Sequence, residues 1–165
     1  LDWMNRGHHH HVTRDAVSRS HKRGLSVCLH VILGLPGETH EEMMETAREV
    51  AALGVDAVKI HNLYAVRNTP LAEQVQREEV ELMGLEDYAR TVVEFLELLP
   101  PQMVVERISG DAPPDFLVGP EWCLDKSAVL AAIDGQFQQR GSIQGKKCLA
   151  PADGELDSEC DVTAE

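Results

Sequence analysis

Between Leu25 and Glu38 the chain reads LSVCLHVILGLPGE, and no other stretch limits the possible folds so tightly. A near-continuous apolar run reaches Leu33 and breaks at Gly34-Leu35-Pro36-Gly37; Thr39 and Glu42 then open a run of helical periodicity. An apolar run of strand length, punctuated by glycine and proline and followed by a Thr-x-x-Glu capping pattern, reads as a buried strand, a tight loop and a helix start. In sheets built of alternating strands and helices, ligands bind beyond the carboxyl ends of the strands. A site is therefore expected at or beside Gly34–Glu38.

The same logic carries along the chain. Thr13 to Arg23 places Ala16, Val17 and Ser20 at helical spacing, with Gly24 as the stop. A strand over Leu25–Leu33 follows, with Cys28 expected as a small buried hydrophobe. From Thr39 to Gly54, Met43, Met44, Ala47, Val50 and Ala51 form a helix stripe, and the methionine pair reads as core. Val55–Leu63 is a second strand, and the intervening helix suits a parallel crossover. Tyr64–Gly84 is a long connection with weak helical spacing at Leu71, Val75 and Val80, a length that often covers a site. Leu85–Leu99 is a helix with Tyr88, Val92, Phe95, Leu96 and Leu99 on one face, stopped by Pro100-Pro101. Met103–Ile108 is a third strand. After an irregular segment from Ala112, Lys126–Arg140 is a last helix with Val129, Leu130, Ile133 and Phe137 inward.

The order of elements gives an α/β fold, an incomplete TIM-type barrel or doubly wound sheet lacking strands upstream. The first strand is apolar on both faces and wants a neighbour on its other edge. The chain opens without an initiator Met and reads as beginning inside a longer frame. No signal peptide or membrane-length apolar run is present, so a cytoplasmic location without membrane contact is expected.

Composition bounds the chemistry. A net charge of −13 argues against phosphate-backbone binding by this segment. Part of the excess lies in an acidic tail, expected to be disordered, that carries Asp153, Glu155, Asp157, Glu159, Asp161 and Glu165. Cys28, Cys123, Cys148 and Cys160 have no clip spacing and read as reduced thiols. His8–His11 are four successive histidines; adjacent residues rarely point at one ion, so an exposed loop is expected and no metal site. Arg107 with Asp111 reads as a structural ion pair ahead of a substrate-facing charge pair, and Trp122 with Cys123 as a packed anchor for the appendage ahead of the lining of a substrate channel.

Several short runs occur in a telling order: Asn5-Arg6-Gly7-His8, Gly24-Leu25-Ser26-Val27-Cys28, His30 through Thr39, Lys59-Ile60-His61, Leu85-Glu86-Asp87-Tyr88, Arg107-Ile108-Ser109 and Pro120-Glu121-Trp122-Cys123. Together they resemble the carboxyl-terminal half of a family of bacterial radical S-adenosylmethionine proteins, similar to the Elongator catalytic subunit and to oxygen-independent coproporphyrinogen oxidases. The resemblance implies that residues 1–111 are strands 5 and 6 plus a further strand of a radical S-adenosylmethionine barrel. It makes 112–148 a family-specific appendage and leaves 149–165 as the tail. It also implies a glycine-rich element after the fifth strand that touches the adenine of the cofactor. Ile32 and Gly34 match that element, His30 stands where it has glycine, Gly37 falls on its acidic position, and Glu38 sits one residue late. Ile32, Gly34, Leu35 and Gly37 are thus the implied cofactor contacts, with His61, and more weakly Leu63, at the end of the sixth strand.

The departure matters as much. The family's three-cysteine 4Fe-4S motif and its methionine-binding element are absent from this chain. The expectation is a parent enzyme that uses S-adenosylmethionine and a 4Fe-4S cluster to form a 5′-deoxyadenosyl radical, and a chain that is inactive without the amino-terminal half of the barrel. RNA modification or a small-molecule substrate is implied by the relatives. Two other readings stay open: a metal-independent barrel enzyme using Lys59 or His61 as acid–base group, and a non-catalytic fragment that pairs with another chain.

Overall fold

The computed structural model describes residue 7 and residues 9–148. Asn5, Arg6 and His8 of the first motif, Cys160 and the acidic tail lie outside the described residues.

Helix α1 (His10–His21) leads into strand β1 (Cys28–Leu33), helix α2 (His40–Ala52) and strand β2 (Ala57–Asn62). A short strand β3 (Ala65–Val66), helices α3 (Pro70–Gln76) and α4 (Leu85–Leu98), and strand β4 (Val104–Arg107) follow. Strand β5 (Leu117–Gly119) and helix α5 (Lys126–Arg140) complete the described chain. The three longer strands form a parallel sheet in the order β1-β2-β4, and β3 pairs with β5 in a separate antiparallel ribbon. The α/β class and the parallel crossover expected from the sequence are both present.

Local chemistry sets the helix ends. Thr39 and Glu42 make the reciprocal capping box: Glu42 N donates to Thr39 Oγ1 at 3.3 Å, and Thr39 N donates to Glu42 Oε2 at 2.7 Å. Thr69 accepts from Ala72 N ahead of Pro70, and Asp125 accepts from Ala128 N at 2.9 Å. Gly141 closes α5 in the left-handed conformation with φ 51°, which costs a residue without Cβ little.

The helices cover one face of the sheet. Val31 and Leu33 of β1 and Val58 and Ile60 of β2 pack with Met43, Met44, Ala47 and Val50 of α2. The same core takes in the α4 face of Tyr88, Val92, Phe95, Leu96 and Leu99, all buried. Val129 and Ile133 of α5 join it, so residues beyond Ala112 share the core of the preceding ones.

Several expectations are corrected. Of the described histidines of the run, His9 is the cap of α1, and His10 and His11 are helical rather than loop, opening the helix three residues before the expected Thr13 start. His10 bonds Glu49 at 3.1 Å, beside the fork of Arg14 on the same carboxylate, and these contacts to α2 prolong the helix backward. Strand β1 begins at Cys28 rather than Leu25, which is 57% exposed. Cys28 is only half-buried, because it points away from the helix layer. Leu130 is 55% exposed rather than inward; α4 meets α5 along the Val129–Ile133 side. Helix α3 ends at Gln76, short of Val80.

Candidate functional site

Alternation along β1 and β2 sends one set of side chains to the helix layer and the other to the opposite face. Val31, Leu33, Val58 and Ile60 take the first. Cys28, His30 and Ile32 take the second, with their in-register partners Ala57, Lys59 and His61. That second face is open: His30 is exposed and Ile32 is 37% exposed, unusual for an isoleucine in a strand. β1 is also an edge strand of this sheet.

Two of the sequence-derived cofactor residues meet here. Ile32 and His61 are direct register partners at the carboxyl ends of β1 and β2. His30 stacks on His61, with ring centroids 5.5 Å apart and planes inclined by 17°. His61 lies below the ordinary imidazole range, because burial and the nearby charges of His30, Arg107 and Lys59 disfavour its protonated form, against a smaller opposing effect of Asp111. Its Nε2 is buried without a hydrogen-bond partner. Lys59 pairs with Glu106 of β4 at 3.0 Å. Arg107 pairs with Asp111 at 3.2 Å, and Lys126 reaches the same carboxylate at 2.7 Å. The Arg107–Asp111 pair is thus real and borders the His61 corner.

The other three cofactor residues belong to the loop after β1. Gly34, Leu35 and Gly37 line an open cleft of about 540 Å³ between this loop, the Glu79–Gly84 segment and the first turns of α2 and α4. Gly34 holds φ +81°, and a Cβ there would stand 3.2 Å from Met83 Cε. Gly37 holds φ +79° with no heavy atom within 4 Å of the place a Cβ would take. Glu38 accepts weakly from Leu35 N at 3.4 Å. Its carboxyl is pushed up by burial, against the pull of that bond. The structure therefore sets the loop glycines at the cleft and pairs Ile32 with His61 on the open face.

Neighbouring contacts hold these parts still. Tyr88 Oη donates to Ile108 O at 2.8 Å, Gly110 N donates to Asn62 Oδ1 at 2.9 Å, and Trp122 Nε1 donates to Met83 O at 3.0 Å. The Trp122 ring lies 5.0 Å from that of Tyr88, and Cys123 is buried, so the pair is the packed anchor expected. Met43 and Met44 are core, as expected.

Sequence reasoning missed His30 as a site residue, and missed Glu106 altogether. The available signal was period 2: His30 shares a face with Ile32. What brings it against His61 is the strand register, which no local pattern states.

For a 4Fe-4S cluster the fit fails. Cys28, Cys123 and Cys148 are free, and among the described residues no group of three or more His, Cys, Asp or Glu could hold a metal ion. No helix among the described residues is long and apolar enough to cross a membrane.

A parallel sheet with its helices on one face and a glycine loop at the carboxyl end of β1 define an α/β protein of the kind whose ligands bind beyond the carboxyl ends of the strands. The chain belongs to the family described as the Radical_SAM C-terminal domain, which matches residues 55–139. It is 41% identical over 143 residues to the uncharacterized protein YtqA of Bacillus subtilis, covering 87% of this chain and 44% of that protein. It is 39% identical over 148 residues to the uncharacterized protein MJ0486 of Methanocaldococcus jannaschii, covering 89% and 46%. The chain thus spans about half the length of the curated relatives it matches. Among solved structures, the archaeal Methanocaldococcus infernus Elp3 with an N-terminal deletion superposes with a TM-score of 0.76 at 23% identity, over 87% of this chain and 34% of that one. At that identity the likeness concerns the fold.

Proposed function

We propose that this chain is the carboxyl-terminal part of a radical S-adenosylmethionine enzyme whose barrel is completed by an amino-terminal half. The observation that carries the reading is the pairing of Ile32 with His61 on an open sheet face beside an unpaired edge strand. The remaining length of the relatives, roughly the other half, is the natural cover for that face and edge. In this reading the amino-terminal half brings the 4Fe-4S cluster, which once reduced by an external one-electron donor would cleave S-adenosylmethionine to methionine and a 5′-deoxyadenosyl radical.

The residues of this chain bind and orient. Ile32 offers an apolar surface for the adenine, and the open backbone at Gly37 admits a close approach. Gly34 and Leu35 set the course of the loop, and His61 flanks Ile32. Lys59, held by Glu106, is tied up as an ion pair, which weighs against it as a free acid–base group. The net charge of −13 weighs against an RNA contact by this segment.

The test is reunion. The chain is fused to the amino-terminal half of the Bacillus subtilis relative, the cluster is reconstituted without oxygen and reduced with dithionite, and 5′-deoxyadenosine is measured. Formation by the fusion and not by either half supports the reading. A folded, cluster-loaded fusion that leaves S-adenosylmethionine intact overturns it.

A further inference from the structure

The His61 corner holds a feature that adenine contact leaves unused. Among the described residues, its Nε2 is the buried side-chain nitrogen or oxygen that lacks a hydrogen-bond partner. Buried polar atoms are nearly always paired, so an orphaned one marks a place where a partner belongs. Around it stand His30 from β1, Lys59 from β2, Arg107 at the end of β4 and Asp111 in the segment that follows it. Lys59 is engaged by Glu106, and Asp111 by both Arg107 and Lys126. Three cations therefore face two carboxylates, a local positive excess in a chain whose net charge is −13.

We propose that this corner is an oxyanion-binding position of the substrate site, where His61 donates Nε2–H to a carboxylate or phosphate oxygen and Arg107 supplies nearby positive charge. The proposal rests on the reading that the open face receives the ligand. The His30 ring is exposed and stacks on His61, so a change of its rotamer would admit an oxygen to the covered nitrogen. Burial and the surrounding cations favour neutral His61 in the free chain. An oxyanion on Nε2 acts the other way, since an opposite charge favours the imidazolium. Binding then tightens as pH falls toward the pKa of His61.

The experiment is a histidine-resolved nitrogen-15 NMR titration of the full chain, with sodium phosphate or sodium formate as probe against sodium chloride at equal ionic strength. The expected result is an upward move of the His61 midpoint by roughly one pH unit with a probe, a smaller move in Arg107→Ala, and none at exposed His11. A response to phosphate alone assigns a phosphate-bearing substrate, and one to formate alone a carboxylate. In His61→Phe, the His30 signal keeps reporting on the corner and loses its response to the probe. A His61 midpoint that moves no more than that of His11, or a His30 response that survives His61→Phe, overturns the proposal. A fusion that cleaves S-adenosylmethionine while His61 stays unresponsive defeats only this inference. A responsive His61 in an inert fusion defeats only the cofactor reading.

Discussion

The ring of His30 lies over the ring of His61 with centroids 5.5 Å apart, tying β1 to β2 on the face the helices leave open. After burial, His30 is the largest influence holding His61 below the ordinary imidazole range. His30→Ala removes both a neighbouring charge and part of the cover, so the His61 midpoint should rise. The sign for stability follows: a depressed imidazole means that, below about pH 6.5, the unfolded chain binds more protons than the folded one. Stability is therefore lost as pH falls through that window, and His30→Ala should lessen the loss. Urea midpoints across the window check this; a steeper loss in the variant would refute it.

Glu97 gives a prediction of opposite origin. It is 2% exposed on α4 and accepts from Arg140 Nε at 3.2 Å and Ser142 Oγ at 2.5 Å, with Lys147 Nζ at 2.7 Å. Burial opposes its ionisation, but Arg140, Lys147 and Ser142 overcome that and pull the carboxyl down to about 2. Its stabilisation is present above the unfolded value near 4.3 and is lost as pH falls toward 2. Glu97→Gln should cost on the order of 2–3 kcal/mol near neutrality, and should flatten the acid limb of the stability profile. An unchanged acid limb would show that other carboxylates control it.

Tyr88 is fully buried, and its hydroxyl holds Ile108 O at the end of β4. Burial raises its pKa above the ordinary phenol range, so it stays a donor at any pH the protein meets. Tyr88→Phe keeps the ring against Trp122 and strips the donor, leaving a carbonyl without its bond. The expected loss is about 1 kcal/mol in urea unfolding with the m-value unchanged. A neutral substitution would mean that water replaces the hydroxyl.

The two loop glycines should part company under substitution. Both have φ near +80°, so an alanine at either carries backbone strain of roughly 1–2 kcal/mol. At Gly37 strain is the whole effect, because a Cβ meets nothing there. At Gly34 the new Cβ also crowds the tip of Met83 at 3.2 Å. A double-mutant cycle of Gly34→Ala with Met83→Ala should show coupling, and the Gly37→Ala cycle with Met83→Ala none. Equal coupling in both would sink the assignment.

Much of the fold was legible because local chemistry dictates it. The glycine break after Leu33, the Thr39–Glu42 box, the apolar face of α4 and the Pro100-Pro101 stop each act within a few residues, and each placed its element. The ordered motifs pointed to the family, and the match over residues 55–139 bears that out. Where reading failed, the deciding contact came from far along the chain: α1 runs back to His10, where Glu49 of α2 receives His10 and Arg14. Leu130 follows helical spacing but sits on the side of α5 turned from α4.

The sequence by itself determined the α/β class, the loop glycines at the carboxyl end of β1, the core stripes of α2 and α4, and the absence of a cluster motif. Those depend on residue type, spacing and period. Tertiary structure alone decided that Ile32 pairs with His61, that His30 stacks on that ring, that Lys59 is claimed by Glu106, and that the His61 nitrogen is buried without a partner. These are consequences of parallel register and sheet order, and register is fixed by the whole buried face rather than by any residue read locally.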